Sequence, residues 1–240
     1  MIGLMRVKNE ERWISRAIAS LQRCCERVVV MDDESTDATV EIAHSLKADV
    51  LPSPFTTLDE ARDKSWLVAQ CYDRGWLRAG ERVLMIDGDE ELVEGDEARI
   101  HDALDRWPCA ALRILYLWDD ENHVRMDGVY GRFWRPSAWI AEGREFDGFI
   151  GLAANGSGFH CSNAPARIAN RSMRTEARLL HYGYMHRADR IRKYEWYNSR
   201  DPGNQFEDCY RHTVIGDLFP PQSRFVHAGP LEVRPWRPAA

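Results

Sequence analysis

Arg82-Val83-Leu84-Met85-Ile86-Asp87-Gly88-Asp89-Glu90-Glu91-Leu92 is the stretch on which the fold of this chain turns. Residues 83–86 form a short apolar run of the kind that makes a buried strand. The run hands Asp87 and Asp89 to the strand's end with only Gly88 between them. In α/β sheets, ligands bind beyond the carboxyl ends of the strands. Two carboxylates one residue apart at such a place repel unless something positive sits between them. A hard divalent cation that also suits phosphate, Mg²⁺ or Mn²⁺, meets that need. Gly88 removes a side chain and lets a bulky ligand approach the backbone. The plain alternative is an acidic turn after a strand.

Working outward, residues 2–7, 28–31 and 49–51 read as further buried strands, and 10–24, 35–46, 58–78 and 95–107 as helices, with Ser35 or Thr36 as the N-cap of the second. Strands alternating with helices predict βαβ units and a mostly parallel sheet, an α/β fold of Rossmann-like type. Beyond residue 108 the pattern is less regular. Strands are expected at 110–118, 129–134, 146–152 and 179–182, a turn or loop at 155–158, and a helix at 189–197. The proline-rich tail after Phe219 reads as extended. With no repeat and no clean linker, a single domain over 1–240 is expected, with a ligand-binding half (1–108) and a second half (109–240).

Composition bounds the class. The chain has 240 residues, 44% hydrophobic and 29% charged, as in ordinary globular proteins. No apolar run approaches the ~20 residues that span a bilayer, and the first residues lack a signal peptide's apolar core. A cytoplasmic protein without membrane insertion is the expectation. Six cysteines without CxxC spacing read as free thiols. Residues 1–120 carry 15 Lys and Arg against 25 Asp and Glu, a balance of −10, whereas 121–240 carry +4 within a total of −6. The segment 167–200 is especially basic, which suits either a solvated helix face or contact with phosphate on a donor or acceptor.

A second acidic cluster, Asp32-Asp33-Glu34-Ser35-Thr36-Asp37-Ala38-Thr39, follows the strand at 28–31. Carboxylates there can accept hydrogen bonds from a nucleobase or ribose. An acidic helix N-terminus explains one or two of them, but not why two strands of one sheet both end in acids. Glycine-rich phosphate loops are absent, which weighs against dinucleotide redox chemistry and P-loop hydrolysis.

Four motifs occur in order: Asn9-Glu10-Glu11, the Asp32 to Thr39 cluster, Ala61-Arg62-Asp63, and Ile86-Asp87-Gly88-Asp89-Glu90. In this the chain resembles glycosyltransferase family 2 over about residues 1–95. His181-Tyr182-Gly183-Tyr184 resembles a histidine motif found further along in many members. The resemblance implies a GT-A fold and a metal-dependent inverting transfer from a nucleotide-sugar, with UDP the commonest nucleotide, to an acceptor hydroxyl. It implies that Asp33 contacts the base, Asp32 shapes that pocket, Arg62 approaches the nucleotide or diphosphate, and Asp87 lies near the ribose and sugar. Asp89 and His181, with Asp87 beside them, would hold Mn²⁺ or Mg²⁺. Where the family has Asn after Ala-Arg, this chain has Asp63. Where many members have His-Glu, it has His160-Cys161, so the general base falls among Asp127, Glu145 and His160, with Asp120 and Asp147 also in range. A hexosyltransferase is thus expected, with an acceptor that is a saccharide, small molecule, protein or modified nucleic acid. The competing readings are a nucleotidyltransferase on a similar fold and a non-catalytic nucleotide-sugar-binding protein.

Overall fold

The computed structural model describes residues 1–149, 161–203 and 210–237. Strands β1 (Ile2–Val7), β2 (Arg27–Asp32), β3 (Asp49–Pro52) and β4 (Arg82–Met85) lie side by side in the order β3-β2-β1-β4, all parallel. Helices α1 (Ile14–Gln22), α2 (Thr39–Ser45) and α3 (Glu60–Asp73) are the crossovers between them. Successive strand side chains point to opposite faces, and the core divides accordingly. Met5, Val7, Val28, Val30, Leu84 and Ile86 pack with α1, while Leu4, Val29, Met31, Val83 and Met85 pack with α3. The chain winds outward from β1 to β3 and then returns to β4 on the other side of β1. The carboxyl ends of β1 and β4 therefore flank the switch point at which doubly wound sheets bind ligands.

The second half extends the same sheet. After β5 (Glu90–Leu92) and α4 (Glu97–Leu104), β6 (Cys109–Trp118) pairs antiparallel with β7 (Asp120–Arg125) and with β8 (Trp134–Ile140), and β8 pairs antiparallel with β4. The short α5 (Ala166–Ala169) precedes β9 (Ser172–His181), which lies parallel beside β6 and antiparallel to β5. Helix α6 (Arg187–Arg200) follows, and β10 (Val233–Pro235) closes onto β7.

Several elements depart from expectation for identifiable reasons. Helix α2 starts at Thr39, because Ser35 and Thr36 are occupied elsewhere. Ser35 Oγ accepts from the Asn9 amide at 2.9 Å, and the Thr36 amide donates to Asn9 Oδ1 at 2.8 Å. Strand β8 runs later than the expected 129–134 and contains Pro136. Proline is tolerated at irregular ladder positions, and Pro136 faces Ala111 where the β6–β8 register shifts. Strand β7 was hidden by its polar sequence, which leaves residues 120–122 exposed. The expected strand at 146–152 does not form in its described part, 146–149, and the expected loop at 155–158 lies outside the described residues. The extended tail includes an edge strand, β10. Cys24, Cys25, Cys71, Cys109 and Cys161 are free thiols. No helix among the described residues is long and apolar enough to cross a membrane.

Candidate active site

Four strand ends meet at the switch point. Antiparallel pairing brings the start of β8 beside the end of β4, so Arg135 reaches Asp87. Its Nη1 donates to Asp87 Oδ2 at 2.7 Å, and its Nη2 donates to Glu90 Oε2. On the other side, the register Glu90↔His181 in β5–β9 and Tyr116↔His181 in β6–β9 carries His181 to the same place. The Tyr182 amide donates to the Asp89 carbonyl at 2.9 Å, tying the two motifs together.

Asp89 and His181 face each other, with Oδ2 and Nε2 3.8 Å apart. Lys193 of α6 donates to the same Asp89 Oδ2 at 2.9 Å. Burial raises the Asp89 pKa, but His181 and Lys193 outweigh it and hold the carboxyl below its usual range. Burial drives His181 down to about 4, so the ring is neutral at neutral pH. The Gly183 amide donates to His181 Nδ1 at 3.0 Å, which puts the neutral ring's proton on Nε2.

Mg²⁺ and Mn²⁺ sites commonly use one or two carboxylates and take further ligands from substrate phosphates. Asp89 and a neutral His181 have the spacing to share one ion, and the missing side chain of Gly183 leaves room there for both and for Lys193 Nζ. A Cβ there would overlap Asp89 Oδ2 and Lys193 Nζ and stand 2.7 Å from His181 Cε1. The pair fits, on the condition that the His181 proton moves to Nδ1 and the Gly183 bond is given up. No group of three metal-ligating side chains converges among the described residues, so water or substrate phosphate would supply the other ligands of an ion held there. Asp87, the third expected ligand, is engaged otherwise. Besides Arg135, it lies 3.4 Å from Asn163 Nδ2 and 3.9 Å from Lys64 Nζ. Burial raises its pKa, but Arg135, Lys64 and His181 overcome that and depress it. We predict that Gly183→Ala loses nucleotide-induced thermal stabilisation while the free protein still unfolds cooperatively. Retained stabilisation would show that the cradle is not needed.

Gly88 serves a different end from the one its sequence position suggests. A Cβ there would meet Val7 Cγ1 at 2.8 Å and Glu10 Cγ at 2.9 Å. It makes room for the loop after β1, not for a ligand. That loop sets Glu10 beside the site, where burial, then the charge of Asp89, raise its carboxyl to about 8.

The second acidic cluster lies past β2. Asp33 accepts from Arg6 Nη2 at 2.6 Å, and Asp63, fully buried on α3, accepts from Arg6 Nε at 2.8 Å. Asp32 Oδ2 accepts from the Ser35 amide at 3.1 Å, while its buried Oδ1 has no hydrogen-bond partner. Arg62 is turned toward its own neighbours. It donates to Asp63 and Thr57 and covers the Phe55 ring at 3.9 Å.

The expected bases are dispersed. Asp127 is buried in a two-pronged pair with Arg125, at 2.8 and 2.9 Å, and also accepts from the Glu232 amide. Burial raises its pKa, but Arg125 overcomes this and lowers it. Glu145 is exposed, Asp120 pairs with His123, and Asp147 accepts from the Arg167 amide. His160 lies outside the described residues.

Sequence reasoning missed Arg6, Lys64, Arg135 and Asn163. For Arg6 and Lys64 the signal was a charge where an apolar residue belongs. Arg6 interrupts the apolar β1, and Lys64 lies on the buried face of α3. In the basic segment 167–200, five cations are spent on acids other than Asp89: Arg167 on Glu142, Arg178 on Asp96, Arg187 on Asp217, Arg190 on Asp217 and Asp119, and Arg192 on Asp189. Lys193 is the one brought to Asp89.

The acids at the ends of β2 and β4 are set around one switch point of the parallel part of the sheet. Residues 4–93 match the family model Glycosyl transferase family 2. The chain is 35% identical over 124 residues to an uncharacterized glycosyltransferase of Rickettsia typhi, a match covering 50% of this chain and 39% of that one. It is 26% identical over 223 residues to an uncharacterized protein of Mycobacterium bovis, covering 86% of this chain and 52% of the other. The chain thus spans roughly two fifths to one half of the length of these curated relatives. Among solved structures, S. aureus TarS aligns with 90% of this chain and 42% of its own, at 15% identity and a TM-score of 0.47.

Proposed function

We propose that this chain is a glycosyltransferase that moves a sugar from a nucleoside diphosphate donor, UDP-linked in the simplest case, to an acceptor hydroxyl with inversion. The observation that carries the reading is the cluster at the switch point: Asp89 and His181 poised for one cation, with Lys193 at the same Asp89 and with Lys64 and Arg135 at the neighbouring Asp87. A site built only to bind a neutral ligand has no need of so much paired charge.

The roles follow from the surroundings. Asp32 Oδ1, buried without a partner, suits an N–H on the edge of a nucleobase such as uracil. Asp33 is held still by Arg6 and borders the same pocket. Arg135 fixes Asp87, which suits Asp87 to hydroxyls of the ribose or sugar. Asp89 and His181 would hold Mn²⁺ or Mg²⁺ when the donor binds. Such an ion offsets the charge that gathers on the departing diphosphate. Lysine and arginine nearby act in the same direction, in a place where water is scarce and charge interactions are strong.

The acceptor hydroxyl must lose a proton to a base. Asp127 is poorly suited, since Arg125 already engages both its oxygens. We therefore assign the base to Glu145 or His160 and leave Asp127 to order the loop after β7. The Asp127→Asn variant should then lose stability more than turnover per folded molecule, whereas Glu145→Gln, at an exposed position, should lower turnover with little change in melting temperature, or His160→Ala should lower turnover. The opposite pattern would return the role to Asp127.

The test of the whole reading is a thermal-shift panel of nucleoside diphosphates and nucleotide-sugars, each with and without Mn²⁺. A ligand that binds the folded state raises the melting temperature by mass action. One nucleotide should stand out, and its sugar conjugate should be hydrolysed or transferred. Stabilisation without turnover would favour a non-catalytic nucleotide-sugar-binding protein. No stabilisation by any nucleotide would remove the donor site.

A further inference from the structure

We propose that Lys193 is a diphosphate-binding residue, a cation built into the fold that stands at Asp89 until the donor's phosphates take it over. The inference rests on the glycosyltransferase reading and deepens it. It leads to a definite expectation, that the nucleoside diphosphate is retained without any divalent ion.

The mounting of Lys193 is the first support. Helix α6 is pinned to the rest of the fold by Arg190, which is 2% exposed. That guanidinium donates to the Met185 carbonyl at 2.7 Å, to the Tyr184 carbonyl at 2.9 Å and to Asp119 at 2.8 Å, and it also pairs with Asp217. Lys193 lies three residues further along α6, close to one turn. Its ammonium is therefore presented from a fixed platform and not from a mobile loop. The Tyr184 ring lies 5.0 Å from Nζ and guides the side chain toward the site.

The second support is the space it occupies. Nζ lies 2.9 Å from Asp89 Oδ2, the same oxygen that faces His181. A side chain at position 183 would collide with that ammonium as well as with the carboxylate. The backbone is thus shaped around the Lys193–Asp89 pair. A lysine ammonium is a compact charge with three donors. One donor serves Asp89, which leaves others for phosphate oxygens.

Charge sets the third support. A diphosphate beside Asp89 alone would meet a like charge. With Lys193 between them, the phosphates meet a cation whose partner is already in place. Asp89 and His181 would hold a divalent ion that came with the donor, and Lys193, freed from Asp89 Oδ2, would then turn its ammonium to the phosphate. The ion then adds to affinity instead of creating it.

The experiment is isothermal titration calorimetry of wild type, Lys193→Met and Lys193→Arg with UDP and with uridine, in EDTA and again in Mn²⁺. GDP, CDP, ADP and dTDP replace UDP if the thermal panel selects one of them. In EDTA, wild type should bind the diphosphate, Lys193→Met should bind it at least tenfold more weakly, and Lys193→Arg should recover most of the loss. Binding of the nucleoside should change less than twofold in both variants. Mn²⁺ alone should bind Lys193→Met more tightly than wild type, because Asp89 is released. Equal diphosphate binding by wild type and Lys193→Met in EDTA would overturn the proposal while leaving the glycosyltransferase reading intact. Wild type that binds the diphosphate only with Mn²⁺ would also overturn it. Wild type that binds no nucleotide under either condition would fell the glycosyltransferase reading itself, and this inference with it.

Discussion

Asp89→Asn should abolish the Mn²⁺-dependent part of nucleotide binding and lower donor turnover on the order of a hundredfold or more, the scale on which removal of one preorganised electrostatic contact acts. The substitution keeps the size of the side chain, and the Asp89 carbonyl still accepts from the Tyr182 amide. What changes is charge. Asn cannot hold Lys193 at 2.9 Å as an ion pair, and it is a weak ligand for a hard cation. The contrast with Asp87→Asn is informative. Asp87 is bound to Arg135 and lies near Asn163 and Lys64, so its loss should weaken the sugar-linked donor more than the free diphosphate. The two variants are compared by calorimetry with UDP and UDP-sugar, with and without Mn²⁺, or with the nucleotide that the thermal panel selects. An Asp89→Asn protein that keeps its full Mn²⁺ response would exclude Asp89 as the ion's carboxylate.

The second large effect is on folding. Arg135 is 8% exposed and pairs with Asp87 and with Glu90, itself 1% exposed. Replacing Arg135 with Ala leaves two carboxylates facing each other without their cation. Removing one partner of a buried ion pair costs about 3–5 kcal/mol. Burial, and then the charges of Asp87 and Asp89, already oppose ionisation of Glu90, with Arg135 resisting them, and its carboxyl stands at about 7. Once Arg135 is gone, Glu90 takes up a proton more readily, so part of the loss is recovered by lowering the pH. Below the ordinary carboxylate range the unfolded chain is protonated as well, and that relief ends. Urea unfolding at several pH values measures both effects. The double variant Arg135→Ala with Glu90→Gln should be more stable than Arg135→Ala alone. If Arg135→Ala unfolds at the wild-type urea concentration, the cluster is not a structural element.

How far the sequence could be read depended on whether a segment's partners lay near it in the chain. β1 to β4 and the helices between them are stamped locally, by apolar runs of strand length and helical spacing, and they formed close to where expected. The acids at the ends of β2 and β4 were legible for the same reason. β7 and β8 were not. A strand of Asp120, Glu121, Asn122 and His123 has no apolar alternation, and it exists because β6 and β10 flank it. Pro136 argued against β8, and only the shifted register opposite Ala111 accommodates it. The candidate site divides along the same line. Asp32, Asp33, Asp87, Asp89 and His181 stood in recognisable motifs. Arg135, Lys64 and Asn163 come from separate elements and meet at Asp87 through pairing over long separations, which composition and periodicity do not encode.

The family match ends at residue 93, yet β9, some eighty positions later, is laced on one edge to β5 and on the other to β6. A seam drawn along the sequence therefore has no counterpart in space. Cutting the chain near residue 108 would strip β5 of its neighbour and leave the edge of a half-built sheet open to solvent, an invitation to stick to other chains. For anyone dividing this protein into parts, the useful unit is not the matched segment. Any exchange of second halves between relatives would have to carry β5 and β9 across together.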